Sequence, residues 1–574
     1  VPCAPIIIDQ PACPNCHTVY IPRSPNNNTA YFYTPHTTEF CETPTYLNLG
    51  VAYQRSFDDR SIATCLFGSP ILLFQGSQIV DRDDDAIIAD NIGLSPFFNG
   101  TISFCPRIEN VNVHASLFYA ADRFLTGLYG TIELTASQQR RTLNAGETED
   151  KESLTTAFPV GYMAGGSQPV AALTSIKEAL QGNSDVGDLK APRKFGKFCF
   201  GQQTEHGIAG ATVTIGYDCW RDMSSSFGIF FRYSAPVGTK PNPRFVFSPV
   251  IGMGKHHAVG GGVTMHSEVW HKDGNQSLVV ALDGYVTTLF NNNQLRSFDL
   301  RHKGCFSRYM LLKQLIAPTS SLTNTVAALN SANGPGYSYA GTIIAAIDAT
   351  TRNVQVKIAA QGDATLRCVY TNSSSCGIWE LSAGYNIYGQ TEEKICLEPC
   401  VNGLTYGVKG GTGVATYIYN TTGATPNKLT NGNTTTPDGL AQNSTAQTST
   451  ITTNGPVDGK PMGGLAFDGT TVGVDWANAL NGGQPANAVT SGTNTNTLTL
   501  SRLSNPAVAI TDADLKLCTG TAPSQLAHKG FIQLAYTFDC TLNPSITGGF
   551  EAEGSGNCFA YKQWGLWLRG GINF

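Results

Sequence analysis

Apolar and polar positions alternate along much of the chain. Leu47, Leu49, Val51 and Tyr53 are separated by Asn48, Gly50, Ala52 and Gln54. Phe124, Thr126, Leu128, Gly130, Ile132 and Leu134 share a second face. Phe227, Ile229, Phe231 and Tyr233 alternate with Gly228, Phe230, Arg232 and Ser234. Val259, Gly261, Val263, Met265 and Val269 alternate with Gly262, Thr264, His266 and Glu268. After residues 271–276, which hold an Asp-Gly hairpin signal, Val280, Leu282, Gly284, Val286 and Phe290 oppose Asp283 and Tyr285. Trp379, Leu381, Ala383, Tyr385 and Ile387 oppose Glu380, Ser382, Gly384 and Asn386. Ile532, Leu534, Tyr536 and Phe538 oppose Gln533, Thr537 and Asp539. The last segment is the fullest. Trp564, Leu566, Leu568, Gly570, Ile572 and Phe574 lie on one face, with Gln563, Gly565, Trp567, Arg569, Gly571 and Asn573 on the other. Successive side chains of a strand point to opposite faces, so each segment predicts a strand with one face for lipid and one for water.

Composition turns many such strands into a membrane barrel. Only 14% of the 574 residues are charged, against roughly 25% in an ordinary soluble protein. Glycine is frequent, at 61, and aromatics reach 10%. No apolar run approaches the roughly 20 residues that a spanning helix needs. A barrel spreads its hydrophobicity over alternate residues. The competing reading is a secreted, soluble all-β protein. Sixteen cysteines suggest an oxidising compartment. The chain begins Val1-Pro2-Cys3, as expected once a signal peptide has been removed. Net charge is -5 with no long basic run, which argues against nucleic acid as a partner.

The chain divides into four stretches. Residues 1–44, with Cys3, Cys13, Cys16 and Cys41, read as a Cys/Pro-rich arm or plug held by disulfides. Residues 45–401 hold barrel strands and loops. Residues 402–515 form a Thr/Asn/Gly-rich insertion with little core material, expected outside the membrane. Residues 516–574 return to barrel strands. A second polar interruption covers residues 316–352.

Candidate chemistry is sparse. Cys13-Pro14-Asn15-Cys16-His17 has the spacing of c-type haem attachment, but so many other cysteines favour a structural disulfide. Asp81-Arg82-Asp83-Asp84-Asp85, with Asp90 beyond, lacks the glycine and glutamate of a calcium loop and reads as a solvated turn. His256 and His257 are adjacent, so a strand would point them apart; with His266 and His271 they suit a polar loop or lumen. Cys396 and Cys400 lack a second ligand pair for zinc. No Gly-x-Ser-x-Gly, His-Glu-x-x-His or Walker sequence occurs. No enzyme activity, cofactor or metal is expected. Arg232, Glu268, Asp283, Glu380, Asp539 and Arg569 sit on polar faces. An arginine or lysine facing lipid at mid-depth would cost about 2–4 kcal/mol, so these six are the candidate pore-lining residues. Together they lean acidic, which predicts a weakly cation-preferring channel.

The aromatic ending and the repeated alternation resemble bacterial outer-membrane porins. Two passages narrow the likeness. One is Trp379-Glu380-Leu381-Ser382-Ala383-Gly384-Tyr385-Asn386-Ile387-Tyr388-Gly389, followed by Thr391-Glu392-Glu393-Lys394-Ile395. The other is Phe231-Arg232-Tyr233, followed by Ala235-Pro236-Val237-Gly238-Thr239-Lys240-Pro241. They resemble strand-and-turn passages of cysteine-rich major outer-membrane proteins of intracellular, chlamydial-type bacteria. The likeness spans residues 45–400 and 525–574 but not the insertion. It implies an all-β transmembrane antiparallel β-barrel of about 14–18 strands with long extracellular loops. It also implies a bacterial outer-membrane address and passive diffusion of small polar solutes. An abundant surface coat, trimers and disulfide-linked neighbours belong to the same expectation. Phe574, Ile572 and Leu568 become the assembly signal. Two rivals stand beside it: a barrel-anchored adhesin or lattice protein, and a plugged transporter of apolar solutes of the fatty-acid type.

Overall fold

The structure is a computed structural model. It describes residues 45–149, 170–316, 338–397 and 510–573 apart from short gaps, together with Thr18, Tyr20 and short strands at 157–158, 405–408, 416–420, 430–431, 488–490 and 495–499.

Twelve strands form one closed antiparallel sheet. They are β1 (Thr45–Ser56), β2 (Arg107–Ala120), β3 (Leu128–Thr142), β4 (Gln203–Arg221), β5 (Ser225–Ser234) and β6 (Ala258–Lys272). The second half is β7 (Gln276–Ser297), β8 (Thr351–Ser374), β9 (Gly377–Gln390), β10 (Gln525–Phe538), β11 (Ser545–Ser555) and β12 (Gln563–Asn573). Each strand pairs with the next in sequence. β12 returns to β1, with Tyr46 opposite Asn573 and Ser56 opposite Gln563. Closure leaves the barrel without an open edge. The count is twelve, not the expected 14–18. The difference lies in segments that pair among themselves instead of joining the wall. Ile71–Gln75, for example, pairs with Asn99–Phe104, and that strand with Ala145–Glu149.

Connections alternate in length. Those at 121–127, 222–224, 273–275, 375–376 and 539–544 are short and share one end with Thr45 and Asn573. Those at 57–106, 143–202, 235–257, 298–350 and 391–524 join strands at the other end, as does the shorter one at 556–562. This is the arrangement of a membrane barrel, with short turns on one side and long loops on the other.

The wall follows the period-two pattern. Leu49, Ile132, Ile215, Ile229, Val286, Leu381, Ile532, Leu566 and Leu568 are exposed on the outside. Such a continuous apolar belt far exceeds the patches of soluble proteins, and it is the surface that hydrocarbon requires. Near the short-turn end the belt carries Tyr119, Trp220, Trp270, Trp379 and Phe538. There the ring of Tyr536 lies 4.5 Å from Trp379 and 4.7 Å from Phe538. Aromatic girdles of this kind mark the lipid–water boundary. Among the described residues no helix is long and apolar enough to cross a membrane.

The long loops build a cap over their mouth of the barrel. It contains α1 (Asp59–Phe67), α2 (Ile176–Gln181) and the small sheet around Ile71–Gln75. Its core packs Phe67, Phe74, Phe98, Phe104, Phe198 and Phe247, with Phe67 and Phe104 rings 4.6 Å apart. Each large apolar side chain buried this way contributes roughly 1.5–3 kcal/mol. A second core joins Phe298, Leu312, Val354, Val356 and Leu515. It stands on the upper parts of β7 and β8, which project past the belt. Thr405–Val408, within the expected insertion, adds a strand to Leu311–Ile316. The remainder of 402–515, apart from the short strands and 510–515, lies outside the described residues, as does the arm at 1–44 apart from Thr18 and Tyr20.

Candidate solute pathway in the lumen

The inner face is polar, and alternation puts it there: whatever separates the lipid-facing residues must point inward. One hydrogen-bonded ladder runs around part of the wall. Lys529 Nζ stands 3.4 Å from Glu551 and 3.5 Å from Glu553. Gln54 Nε2 donates to Glu551 at 2.6 Å, and Gln563 Nε2 to Glu553 at 3.0 Å. Asn112 Nδ2 donates to Gln54 at 3.2 Å, and Ser137 Oγ to Asn112 at 2.5 Å. Gln139 Nε2 donates to Asn110 at 2.9 Å, and Arg141 Nε donates to Gln139 at 2.7 Å. All of these residues are buried. Their side chains therefore fill part of the lumen rather than leave it open.

Two adjoining cavities lie along the axis. The inner one has a volume of about 110 Å³ and is lined by Tyr129, Glu133, Thr212, Arg232, Asp283 and Tyr285, among others. Arg232 forms an ion pair with Glu133 at 2.9 Å and lies over the Tyr285 ring at 4.6 Å from its centre. Asp283 accepts from Thr264 Oγ1 at 2.7 Å. The outer cavity, about 80 Å³, lies between lumen and cap. Met253, Tyr285 and Gln361 line both, so they form the partition.

The partition depends on the connection at 235–257, which folds into the mouth. Arg141 Nη1 donates to Ser248 O at 2.9 Å and the Val250 amide to Gln139 Oε1 at 3.1 Å. On the far wall, Asn292 Nδ2 donates to Gly254 O at 2.8 Å. Gly238 has φ +93°, and a Cβ there would lie 2.2 Å from Ile251 O; only glycine permits this close approach. His256 Nδ1 contacts Phe290 O at 2.7 Å, and its Nε2 lies 3.0 Å from Gln294 Nε2. Burial lowers the His256 pKa from its ordinary value, and the Phe290 carbonyl and Glu393 oppose that shift. Behind it, Arg296 holds Glu393 at 2.9 Å and stacks under the Tyr20 ring at 4.3 Å.

The six residues expected to line a pore divide. Arg232 and Asp283 line the inner cavity. Glu380 and Arg569 point inward nearer the short turns, where Arg569 Nη2 donates to Thr547 at 3.3 Å. Glu268 keeps the inward phase of Thr264 and His266, lies just before a register shift near the short-turn rim of β6, and contacts His271 at 3.0 Å. Asp539 is not in the lumen. β10 ends at Phe538, and Asp539 is an exposed turn residue. Its alternation phase was right, but the strand stops one residue too soon.

Several inner charges escaped the sequence reading: Glu133, Arg141, Asp363, Arg367, Lys529, Glu551 and Glu553. The signal was available, since Lys529 is in phase with Gln533 and Glu551 alternates with Phe550. With these included, the inner charges are of both signs. Acids include Glu133, Glu205, Asp218, Glu268, Asp283, Asp363, Glu380, Glu551 and Glu553; bases include Arg141, Arg221, Arg232, Arg367, Lys529 and Arg569. The lean is acidic.

Other sequence candidates are scattered. His257 contacts Tyr233 Oη at 2.9 Å and His266 contacts Ser226 Oγ at 2.7 Å, so the four histidines serve four different partners. Of the acidic run 81–85 only Asp83 is described; its amide donates to Gln75 at 2.7 Å. Residues 13–17, Cys400, the turn at Asp273-Gly274 and Phe574 lie outside the described residues. Ile572 and Leu568 face outward on β12, opposite Leu47 and Val51 of β1. Cys518 is disulfide-bonded. Cys105, Cys199, Cys219, Cys368, Cys376, Cys396 and Cys540 carry free thiols. Pairing of most cysteines is therefore not what the described residues display.

No protein-family model and no curated protein sequence matches the chain. Among solved structures it is similar to an outer membrane channel from Pseudomonas putida F1, with 8% identity, TM-score 0.30, and coverage of 94% of this chain and 99% of that one. It is similar to the β domain of the Bordetella autotransporter BrkA at 5% identity and TM-score 0.29, covering 93% and 100%. A Pseudomonas aeruginosa FadL homologue follows at 8% identity and TM-score 0.25, covering 98% and 99%. Overlap this loose carries no argument. The barrel rests on the strand pairing of the chain itself.

Proposed function

We propose that the chain is a bacterial outer-membrane barrel that passes small polar solutes through its lumen. The observation that carries this is the inner cavity, with polar walls and the Glu133–Arg232 pair, enclosed by a wall whose outer face is apolar. Only helices and closed barrels satisfy every backbone group in hydrocarbon, which supports a membrane address. The buried ladder of Lys529, Glu551 and Gln54 keeps the bore narrow, so conductance is low. The acidic excess favours cations weakly, because much of it is paired with inner bases, and the preference fades as salt screens the field. Short turns face the periplasm and the cap faces outward. Kinship with the chlamydial-type proteins rests on the passages at 379–395 and 231–241. Exposed thiols at Cys219, Cys376 and Cys540, near the short-turn rim, support disulfide-linked neighbours; the trimer remains an implication of the resemblance.

Single-channel recording in planar bilayers, with reversal potentials across a salt gradient, tests the proposal. Small, weakly cation-preferring steps are expected. No conductance in repeated insertions would overturn it and leave the barrel as an anchor for surface loops. A second reading, the plugged transporter, is favoured by the packed cap over the mouth. Uptake of a hydrocarbon into vesicles without accompanying conductance would select it.

A further inference from the structure

We propose that the outer cavity is a binding site for small carboxylates with an apolar body, such as a single aromatic ring. Its volume is about 80 Å³; a single water needs only about 10–15 Å³ of such space, so several atoms fit. Its wall combines apolar faces with unspent donors. Phe245, Phe247 and Tyr309 supply the apolar surface. Arg296 and Arg308 line the same space, the first paired with Glu393 and the second with Asp299.

Two of the lining residues retain buried donors. Arg308 gives Nε and Nη2 to Asp299 at 2.9 and 3.0 Å, yet its Nη1 has no hydrogen-bond partner. Gln390 accepts from Tyr388 Oη at 2.8 Å, yet its Nε2 has none. A buried donor without an acceptor is costly, and a cationic one more so. A carboxylate accepts at both oxygens and meets a guanidinium with charge-assisted bonds. It offers such donors a stronger acceptor than a neutral amide, which would meet Arg308, already paired with Asp299, through an uncharged oxygen. Asp299 anchors Arg308 firmly, with its carboxylate also accepting the Arg308 amide at 2.8 Å, so the fork is preorganised.

The site goes beyond the channel reading: it stands on the mouth alone and holds whether or not the barrel conducts. Calorimetry on the full chain in detergent micelles tests it, with benzoate as probe and benzamide as its uncharged counterpart. Saturable benzoate binding is expected, with benzamide at least tenfold weaker. Gln390→Leu removes one donor without touching the Arg308–Asp299 pair and should weaken benzoate about tenfold. Arg308→Lys keeps the charge but loses the fork and should weaken it similarly; it decides the matter if Gln390→Leu misfolds. Absence of saturable benzoate binding, equal binding of benzamide, or unchanged affinity in a folded variant would each overturn the proposal. Benzoate binding without bilayer conductance would sustain the site while refuting the channel.

Discussion

Replacing Lys529 by methionine tests whether the lumen is held by its polar ladder. Lys529 is 1% exposed and lies between Glu551 and Glu553, at 3.4 and 3.5 Å. Both acids are equally buried, and they accept from Gln54 and Gln563. Methionine fills the same volume but leaves two carboxylates facing each other without the ammonium. Removing one partner of a buried pair typically costs 3–5 kcal/mol, because an uncompensated charge stays behind. The loss should therefore be about 3–5 kcal/mol. Urea unfolding of vesicle-inserted protein, followed by tryptophan fluorescence, measures it; Trp567 is buried on the inner wall one strand from Glu551. The triple variant Lys529→Met, Glu551→Gln, Glu553→Gln should recover most of the loss, since amides still bond Gln54 and Gln563. If the single variant unfolds like the wild type, the carboxylates are solvated and the bore is wetter than the ladder implies.

Leu568→Arg places a charge on the lipid face of β12 and should cost about 2–4 kcal/mol, read by the same unfolding assay; a negligible loss would mean that this face is not in hydrocarbon. Gly238→Ala must adopt φ +93° and bring Cβ 2.2 Å from Ile251 O. Strain of this kind costs at least about 1–3 kcal/mol, and hydrogen exchange at residues 235–257 should rise. His256 has a lowered pKa in the folded state. The unfolded loop therefore binds the proton more readily, and its stability holds above pH 6.5 and falls as the pH drops below it, by at most about 1.4 kcal/mol per pH unit. Exchange rates across the mouth between pH 7 and 5 test this, and His256→Asn should remove the slope.

The wall was legible in the sequence because its physics is local. A side chain in a strand has two choices of direction, and lipid outside with water inside assigns them. That is why Leu47, Ile229, Leu381 and Leu568 could be placed outward and Arg232, Asp283, Glu380 and Arg569 inward. Where strands end is less local. Asp539 kept its phase but lost its strand, and past Glu268 a bulge resets the phase of β6. Strand count failed for a related reason, since an alternating segment does not say whether it joins the barrel wall or pairs with its neighbours in a cap.

By itself the sequence determined that this is an all-β membrane barrel with a polar interior. Only the tertiary structure decided how twelve strands close, how the loops fold over one mouth, and which inner residues meet. Lys529 and Glu551 lie on adjacent strands, but Gln54 reaches Glu551 only because β12 closes onto β1. Arg296 and Glu393 meet, and Arg308 and Gln390 line one cavity, only because the cap sits on the barrel. Periodicity records which way a residue points. What it points at depends on chain closure between residues hundreds of positions apart, and no local pattern encodes that.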